Sequence, residues 1–251
     1  PFTAAVDGKG MIYIYTDKDA KVHKFDPDGK RLTGWTVEDA GGKPLAEGAA
    51  LLVKDNSLLV LDAGMSEVVS FDLDGTLLGR ALLCICYYPR GFSLASDGNF
   101  WVADTGGGKV IKLTPGGQAL ATIGAMGNAP GQFIEPTSVW ESPSGILFVA
   151  DVGNRRVQTF GPDLKPMNAW PMGESIARDG NRLVGTADSN VLVSQSEDKA
   201  VVLYDPTGKE LKRWTYTRDG AVLVPAGIAQ AGGGRYIVLY PKDNLGVVFK
   251  P

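Results

Sequence analysis

Histidine is nearly absent from this 251-residue chain, and cysteine is scarce: one His and two Cys in all. A single histidine, His23, rules out a three-histidine zinc site and leaves no partner set for a Ser-His-Asp triad. It stands beside Lys24 and reads as a surface residue. Cys84 and Cys86 lie two apart in an apolar run. Placed on a strand they point to one side, and so small a ring strains a disulfide, so both read as buried thiols. Long apolar runs are missing too. The longest, Ala81 to Tyr88, falls far short of the roughly 20 residues that span a bilayer, so no direct membrane insertion is expected. Excess positive charge is also lacking: the net charge is −3, which provides no global field for nucleic acid or anionic lipid. The glycine triplets Gly106–Gly108 and Gly232–Gly234 lack the strand–loop–helix setting of a phosphate loop.

What the chain does have is repetition. An aromatic residue or leucine closes a short apolar strand at Phe25, Phe71, Leu113, Phe160, Tyr204 and Phe249, 42 to 47 residues apart. That is the length of a four-stranded propeller blade. Turn formers follow five of these anchors (DPDG, DLDG, TPGG, GPDL and DPTG). Ten residues past them stand Trp35, Ala81, Ile123, Trp170 and Trp214, so three of the five tryptophans share one register. This set reads as packing for the outer strands.

The fourth copy displays the whole unit. Thr137–Val139 begins an inner strand, Ile146–Ala150 is the second strand, Val157–Phe160 the third and Lys165–Trp170 the fourth. Second strands such as ILFVA, FWVA and YIVLY are apolar throughout, the pattern of strands covered on both faces rather than one. The expectation is one all-β domain over residues 1–251, a six-bladed β-propeller with four-stranded antiparallel blades near 1–45, 46–86, 87–133, 134–172, 173–219 and 220–251. The last copy ends after its third strand, so a three-stranded sixth blade with an open edge is predicted. The chain opens directly in strand-like PFTAAVDG, which reads as a domain cut from a longer protein.

Several positions carry chemistry. Asp62, Asp104 and Asp151 end the second strands of the second, third and fourth copies. Spread over three blades they are too far apart to share an ion, and they read as acceptors for nearby backbone amides. Arg155, Arg156 and Lys109 sit among acids and read as ion-pairing groups. The loop positions Lys21, Glu67, Lys109, Arg156, Ala200 and Leu245 are a mixed set, without the basic, aromatic face of an RNA binder. The starts of the inner strands line a central channel. There Glu47, Arg90, Thr137 and Glu174, with Glu135 adjacent, form the candidate site for a small polar ligand. A rigidifying ion-pair network is the competing reading. The longer loops Val37–Leu45 and Gly124–Phe133 are the candidate faces for a protein partner.

The run IGAMGNAPGQFIEPTSVWESPSGILFVADVGNRRVQTFGPD resembles the NHL repeat, with its GQF, the following Pro, VAD and the N-x-R-V-x-x-F pattern. YYPRGFSLASDGNFWVADTGGGKVIKLTPGG is similar. The resemblance implies a six-bladed propeller, of a kind attached in bacteria to membrane proteins, hence an extracytoplasmic domain. It also brings enzymatic relatives. Calcium-dependent lactonases of the related six-bladed group use a Glu with Asn and Asp ligands at inner-strand starts. Glu47-Gly48 is similar to the first of these, but Arg90, Thr137 and Ala226 stand where further oxygen ligands belong. The amidating lyases of the fold bind zinc through histidines that this chain lacks. The preferred reading is a non-catalytic sensor or interaction module without cofactor, binding a protein or small polar ligand and no nucleic acid. The alternatives are a calcium-using hydrolase with Glu47 as ligand, and an RNA-binding NHL domain.

Overall fold

The computed structural model describes residues 2–45, 47–83, 85–173 and 181–251. Strands follow the repeat closely. Blade I contains β1 (Phe2–Val6), β2 (Ile12–Thr16), β3 (Lys21–Phe25) and β4 (Arg31–Thr36). Blade II contains β5 (Gly48–Lys54), β6 (Ser57–Asp62), β7 (Glu67–Asp72) and β8 (Leu77–Leu82). Blade III contains β9 (Gly91–Leu94), β10 (Phe100–Asp104), β11 (Lys109–Leu113) and β12 (Ala119–Ile123). Blade IV contains β13 (Pro136–Glu141), β14 (Leu147–Asp151), β15 (Arg156–Phe160) and β16 (Pro166–Pro171). Blade V contains β17 (Leu183–Gly185), β18 (Val191–Gln195), β19 (Ala200–Tyr204) and β20 (Glu210–Trp214). A small hairpin, β21 (Thr217–Arg218) with β22 (Ala221–Val222), then leads to blade VI. That blade has three strands, β23 (Gly227–Gln230), β24 (Tyr236–Tyr240) and β25 (Leu245–Phe249). Every blade is an antiparallel meander in chain order.

Burial explains the layering. All residues of β10, β14, β18 and β24 are buried, as their unbroken apolar sequences require when blades cover both faces. The outer strands β4, β16 and β20 are largely exposed. Pairing of the third and fourth strands shifts register just before the anchor residue, between Lys24 and Phe25, Ser70 and Phe71, Lys112 and Leu113, and Leu203 and Tyr204. Such bulges add local twist to a ladder.

The three registered tryptophans fill the gaps between blades. Trp35 lies opposite Val22, Trp170 opposite Val157 and Trp214 opposite Val201. Each reaches the following blade, with ring centroids 6.1 Å from Phe71, 5.8 Å from Tyr204 and 5.3 Å from Phe249. Trp35 and Trp170 lie flat against Gly75 and Gly208, where a Cβ would come within 2.6 Å of either indole. Both glycines also have positive φ, +99° and +90°, so the turn and the close approach favour the same residue.

Two local expectations fail. Strand β8 ends at Leu82, so Cys86 is not on a strand. Leu83 N–H donates to Ser66 O and Cys86 N–H to Leu83 O, which closes a turn over the end of β8. Cys86 is half-buried there, and burial pushes its thiol up to about 12. Cys84 lies outside the described residues. His23 is not a surface residue either: its side chain is 14% exposed on β3, with Nε2 3.1 Å from Thr16 Oγ1 and 3.4 Å from Asp19 Oδ2. Alternation along β3 puts it on the face opposite the buried Val22, the side on which Phe25 packs against Ile237 and Leu239 of blade VI, which a neighbouring lysine could not reveal.

Candidate functional site

The channel-ring residues occupy unlike environments. Arg90 is buried ahead of β9, with its guanidinium 5.1 Å from the centre of the Tyr88 ring. Thr137 is buried on β13, its hydroxyl donating to Asn181 O at 3.1 Å. Glu47 is half-buried before β5. Glu135 is exposed and adopts a left-handed backbone, φ +51°. Glu174 lies outside the described residues.

Blade V contributes a different residue to the centre. Ser194 N–H donates to Arg182 O at 2.8 Å and Arg182 N–H donates to Ser194 Oγ at 2.9 Å, which fixes Arg182 at the start of that blade's inner edge. Its guanidinium crosses the axis. Nη1 donates to Arg90 O and Thr137 O, both at 2.6 Å, and Nη2 to Ala49 O at 3.3 Å. One side chain thus links blade V to blades II, III and IV through their backbone carbonyls. Beyond it opens an axial cavity of about 500 Å³, bounded by all six inner strands, for example at Thr3, Ala50, Gly91, Ser138, Leu183 and Gly227. Among the described residues, Arg182 and Asp7 are the charged ones in its wall. Asp7 is engaged in its own hairpin, accepting from Lys9 N–H and Met11 N–H at 2.9 Å and from the Tyr13 hydroxyl at 3.1 Å. Burial, with the Asp7 charge beside it, pushes the Tyr13 phenol well up.

A cation would have to compete with Arg182 for this ring of carbonyls. Among the described residues, no three His, Cys, Asp or Glu side chains are grouped to hold a metal.

The acids ending the second strands hold loops. Asp62 Oδ1 accepts from Gly64 N–H at 2.8 Å and Met65 N–H at 3.2 Å. Asp104 Oδ1 accepts from Tyr87 N–H at 2.6 Å. Asp151 Oδ1 accepts from Ile134 N–H at 2.8 Å, while its Oδ2 takes Asn154 Nδ2 and Arg156 Nε at 2.8 Å and Gln158 Nε2 at 3.0 Å. Burial pushes the Asp62 and Asp104 carboxyls up, against the pull of those backbone donors.

Arginines brace the two long loops. Arg156 Nη2 donates to Ala129 O at 3.0 Å and Gln132 O at 2.9 Å, and Asn154 Nδ2 donates to Gly127 O at 2.9 Å. The N-x-R-V run of blade IV therefore ties down Gly124–Phe133. Arg80 does the same for Val37–Leu45, pairing with the buried Glu67 at 2.5 Å and donating to Glu38 O and Asp39 O.

These rigid loops share one face of the disk, the side on which second strands end and inner strands begin. Large apolar side chains crowd it over blades II and III: Met65 54%, Ile85 45%, Tyr87 72% and Met126 58% exposed. Their loops adjoin one another. The Met65 loop is joined to the β8–β9 connection by Leu83 N–H to Ser66 O. The Tyr87 ring lies over Gly106, and the Met126 backbone touches Gly108. No pattern in the sequence marks this group, because its members come from three connections and have no common spacing.

His23 carries a test. Burial lowers its pKa, partly opposed by Asp19 and assisted by Arg31 and Lys21. The native state therefore binds the proton less readily than the unfolded chain. The stabilisation is present above the unfolded value of about 6.5 and is lost as pH falls below it. The thermal midpoint is expected to drop from pH 7.5 to pH 5.5, and His23→Gln should flatten that slope in a melting series.

No protein-family model matches the chain. NHL repeat-containing protein 3 of Homo sapiens is 29% identical over 192 residues, which cover 67% of this chain and 54% of that protein. Peptidyl-glycine alpha-amidating monooxygenase of Mus musculus is 31% identical over 125 residues, 47% of this chain but 12% of that protein. This chain thus spans about half of one curated relative and a small part of the other. Among solved structures, a streptogramin B lyase superposes with a TM-score of 0.68 at 14% identity, covering 100% of this chain and 83% of that one. Regucalcin, a calcium-binding protein from Agrobacterium tumefaciens, gives 0.67 at 16% identity over 98% and 88%. At such identities the likeness is one of fold.

Proposed function

We propose that this chain, an NHL-type six-bladed β-propeller, is a non-catalytic interaction module that docks a protein partner on the loop face of blades II and III. One observation carries this reading: the exposed apolar side chains of Met65, Ile85, Tyr87 and Met126, gathered on adjoining, hydrogen-bonded loops of one face. Isolated exposed apolar residues are ordinary, whereas a group gathered on a rigid frame is a docking feature. Tyrosine at its centre suits the role, since it buries a large ring at little entropic cost. The axial cavity is a less favoured place for a ligand because its floor guanidinium is already committed to three carbonyls.

The test is quantitative affinity capture from the source organism with wild type and a Tyr87→Glu/Met126→Glu double variant. A partner lost from the double variant, yet retained by a Leu32→Glu/Leu211→Glu control on exposed outer strands, supports the assignment. Equal capture by all three proteins overturns it. The calcium-binding and lyase neighbours motivate one further measurement. A midpoint raised by millimolar calcium and restored by a chelator would favour the channel hydrolase with Glu47 instead.

A further inference from the structure

The gap between blades II and III is filled differently from its neighbours. In each four-stranded blade the outer strand sets one residue opposite the valine at the second position of the third strand. That residue is Trp35 in blade I, Ala81 in blade II, Ile123 in blade III, Trp170 in blade IV and Trp214 in blade V. Two places further along the third strand, on the same face, stand Lys24, Ser70, Lys112, Thr159 and Leu203. Blade II joins the smallest member of each set. Gly79, opposite Ser70, has nothing within 4 Å of a built Cβ.

Beside Ser70 and Ala81 lies a cavity of about 180 Å³. Its inner wall is apolar and buried, with Leu59 and Val68 of blade II facing Leu113, Phe92 and Phe100 of blade III. The two phenylalanine rings are 4.7 Å apart between centroids and tilted by 35°. Toward solvent the lining changes to Lys54, Ser57 and Thr114, around the β5–β6 and β11–β12 turns. Those turns lie on the opposite side of the disk from the loop-face patch.

We propose that this cavity is a binding pocket for a flat aromatic molecule of one or two rings, which enters between the two turns and lies against Phe92 and Phe100. Size limits the ligand: an apolar cavity of about 150 Å³ takes up a benzene ring, and sites for drug-sized ligands begin near about 300 Å³. Register argues for a flat ring, because an indole occupies the equivalent place in three other gaps. Aromatic walls favour an offset or tilted third ring. A polar substituent stays at the mouth, where Lys54 is engaged in a surface pair with Asp55 at 3.3 Å, an interaction weak enough to be redirected. The pocket and the protein-docking face share no residue, so either assignment can fail without the other.

Indole is the probe, titrated into the intact 251-residue protein by calorimetry and by melting. One-to-one binding with a Kd on the order of 100 µM is expected. At 1 mM indole the midpoint should rise by about 3–6 °C. Ala81→Trp supplies the ring covalently, and should weaken indole binding about tenfold or more while raising the midpoint of the free protein. Strand β8 stands close to the blade III turn, with Leu82 O 2.5 Å from where a Cβ on Gly117 would sit. The narrower Ala81→Leu is therefore measured beside it, with a loss of about fivefold expected. Cyclohexanol, of similar bulk but not flat, should bind about fivefold more weakly than indole. Leu211→Ala, on the exposed outer strand of blade V, should leave the indole affinity unchanged. No saturable binding to the wild type, equal affinity in the wild type and both Ala81 variants, or equal affinity for indole and cyclohexanol would overturn the proposal.

Discussion

Replacing Arg182 with alanine is expected to lower the thermal midpoint by about 10 °C, because its side chain ties blade V to three other blades. Its guanidinium satisfies the carbonyls of Ala49, Arg90 and Thr137 at the axis. Leaving a buried acceptor without a donor costs about 1–3 kcal/mol each. Water entering from the adjoining cavity of about 500 Å³ offsets part of this, because the site is polar and roomy enough to hydrate. A net loss of about 3 kcal/mol is the result, and for a domain of this size about 2–4 °C accompanies each kcal/mol. Arg182→Lys should recover less than half, since one ammonium cannot reproduce a planar fork spanning three blades. Differential scanning calorimetry of the three proteins decides the matter. A melt of Arg182→Ala indistinguishable from wild type would remove the residue from its axial role.

Asp151→Ala should cost more, about 3–5 kcal/mol, because it strips the partner from a buried ion pair rather than from neutral groups. The carboxylate is fully buried and accepts from Ile134, Asn154, Arg156 and Gln158 together. Arg156 and Asn154 in turn hold Gly127, Ala129 and Gln132, so residues 124–133 should lose hydrogen-exchange protection beyond the global change. Asp151→Asn keeps one acceptor but turns an amide toward three donors, and should recover little. Asp104→Ala is the internal comparison. Asp104 Oδ1 accepts from Tyr87 N–H while its buried Oδ2 has no hydrogen-bond partner among the described residues, so a smaller loss of about 1–2 kcal/mol is expected. Equal losses at the two positions would show that the extra donors at Asp151 contribute nothing.

Much of this was legible before any coordinates, and for a definite reason. Each blade must bury its second strand on both faces and turn at fixed intervals, so Phe25, Phe71, Leu113, Phe160, Tyr204 and Phe249 recur on one period. The tryptophans recur because each fills the same inter-blade gap. Local chemistry was readable as well. Asp62, Asp104 and Asp151 accept backbone amides, and Arg156 pairs with an acid five residues away. Interactions confined to one blade leave their mark in one stretch of sequence.

The hairpin at Thr217–Val222 and the inward His23 were not legible, since each depends on what packs against it. Arg182 is the clearest case. Its partners lie 45, 92 and 133 residues away in the chain. The loop-face patch assembles from three connections in the same way.

Sequence alone determined the all-β architecture, the number of blades, the three-stranded sixth blade and the acids that anchor the loops. Those features arise from periodic burial and from hydrogen bonds within the stretch of chain that builds one blade, both of which impose themselves on residue order. Tertiary structure alone decided that a guanidinium crosses the channel and which apolar side chains gather on the loop face. Closing a disk brings distant strand ends to a common axis and rim, and no periodicity along the chain records which groups will meet there.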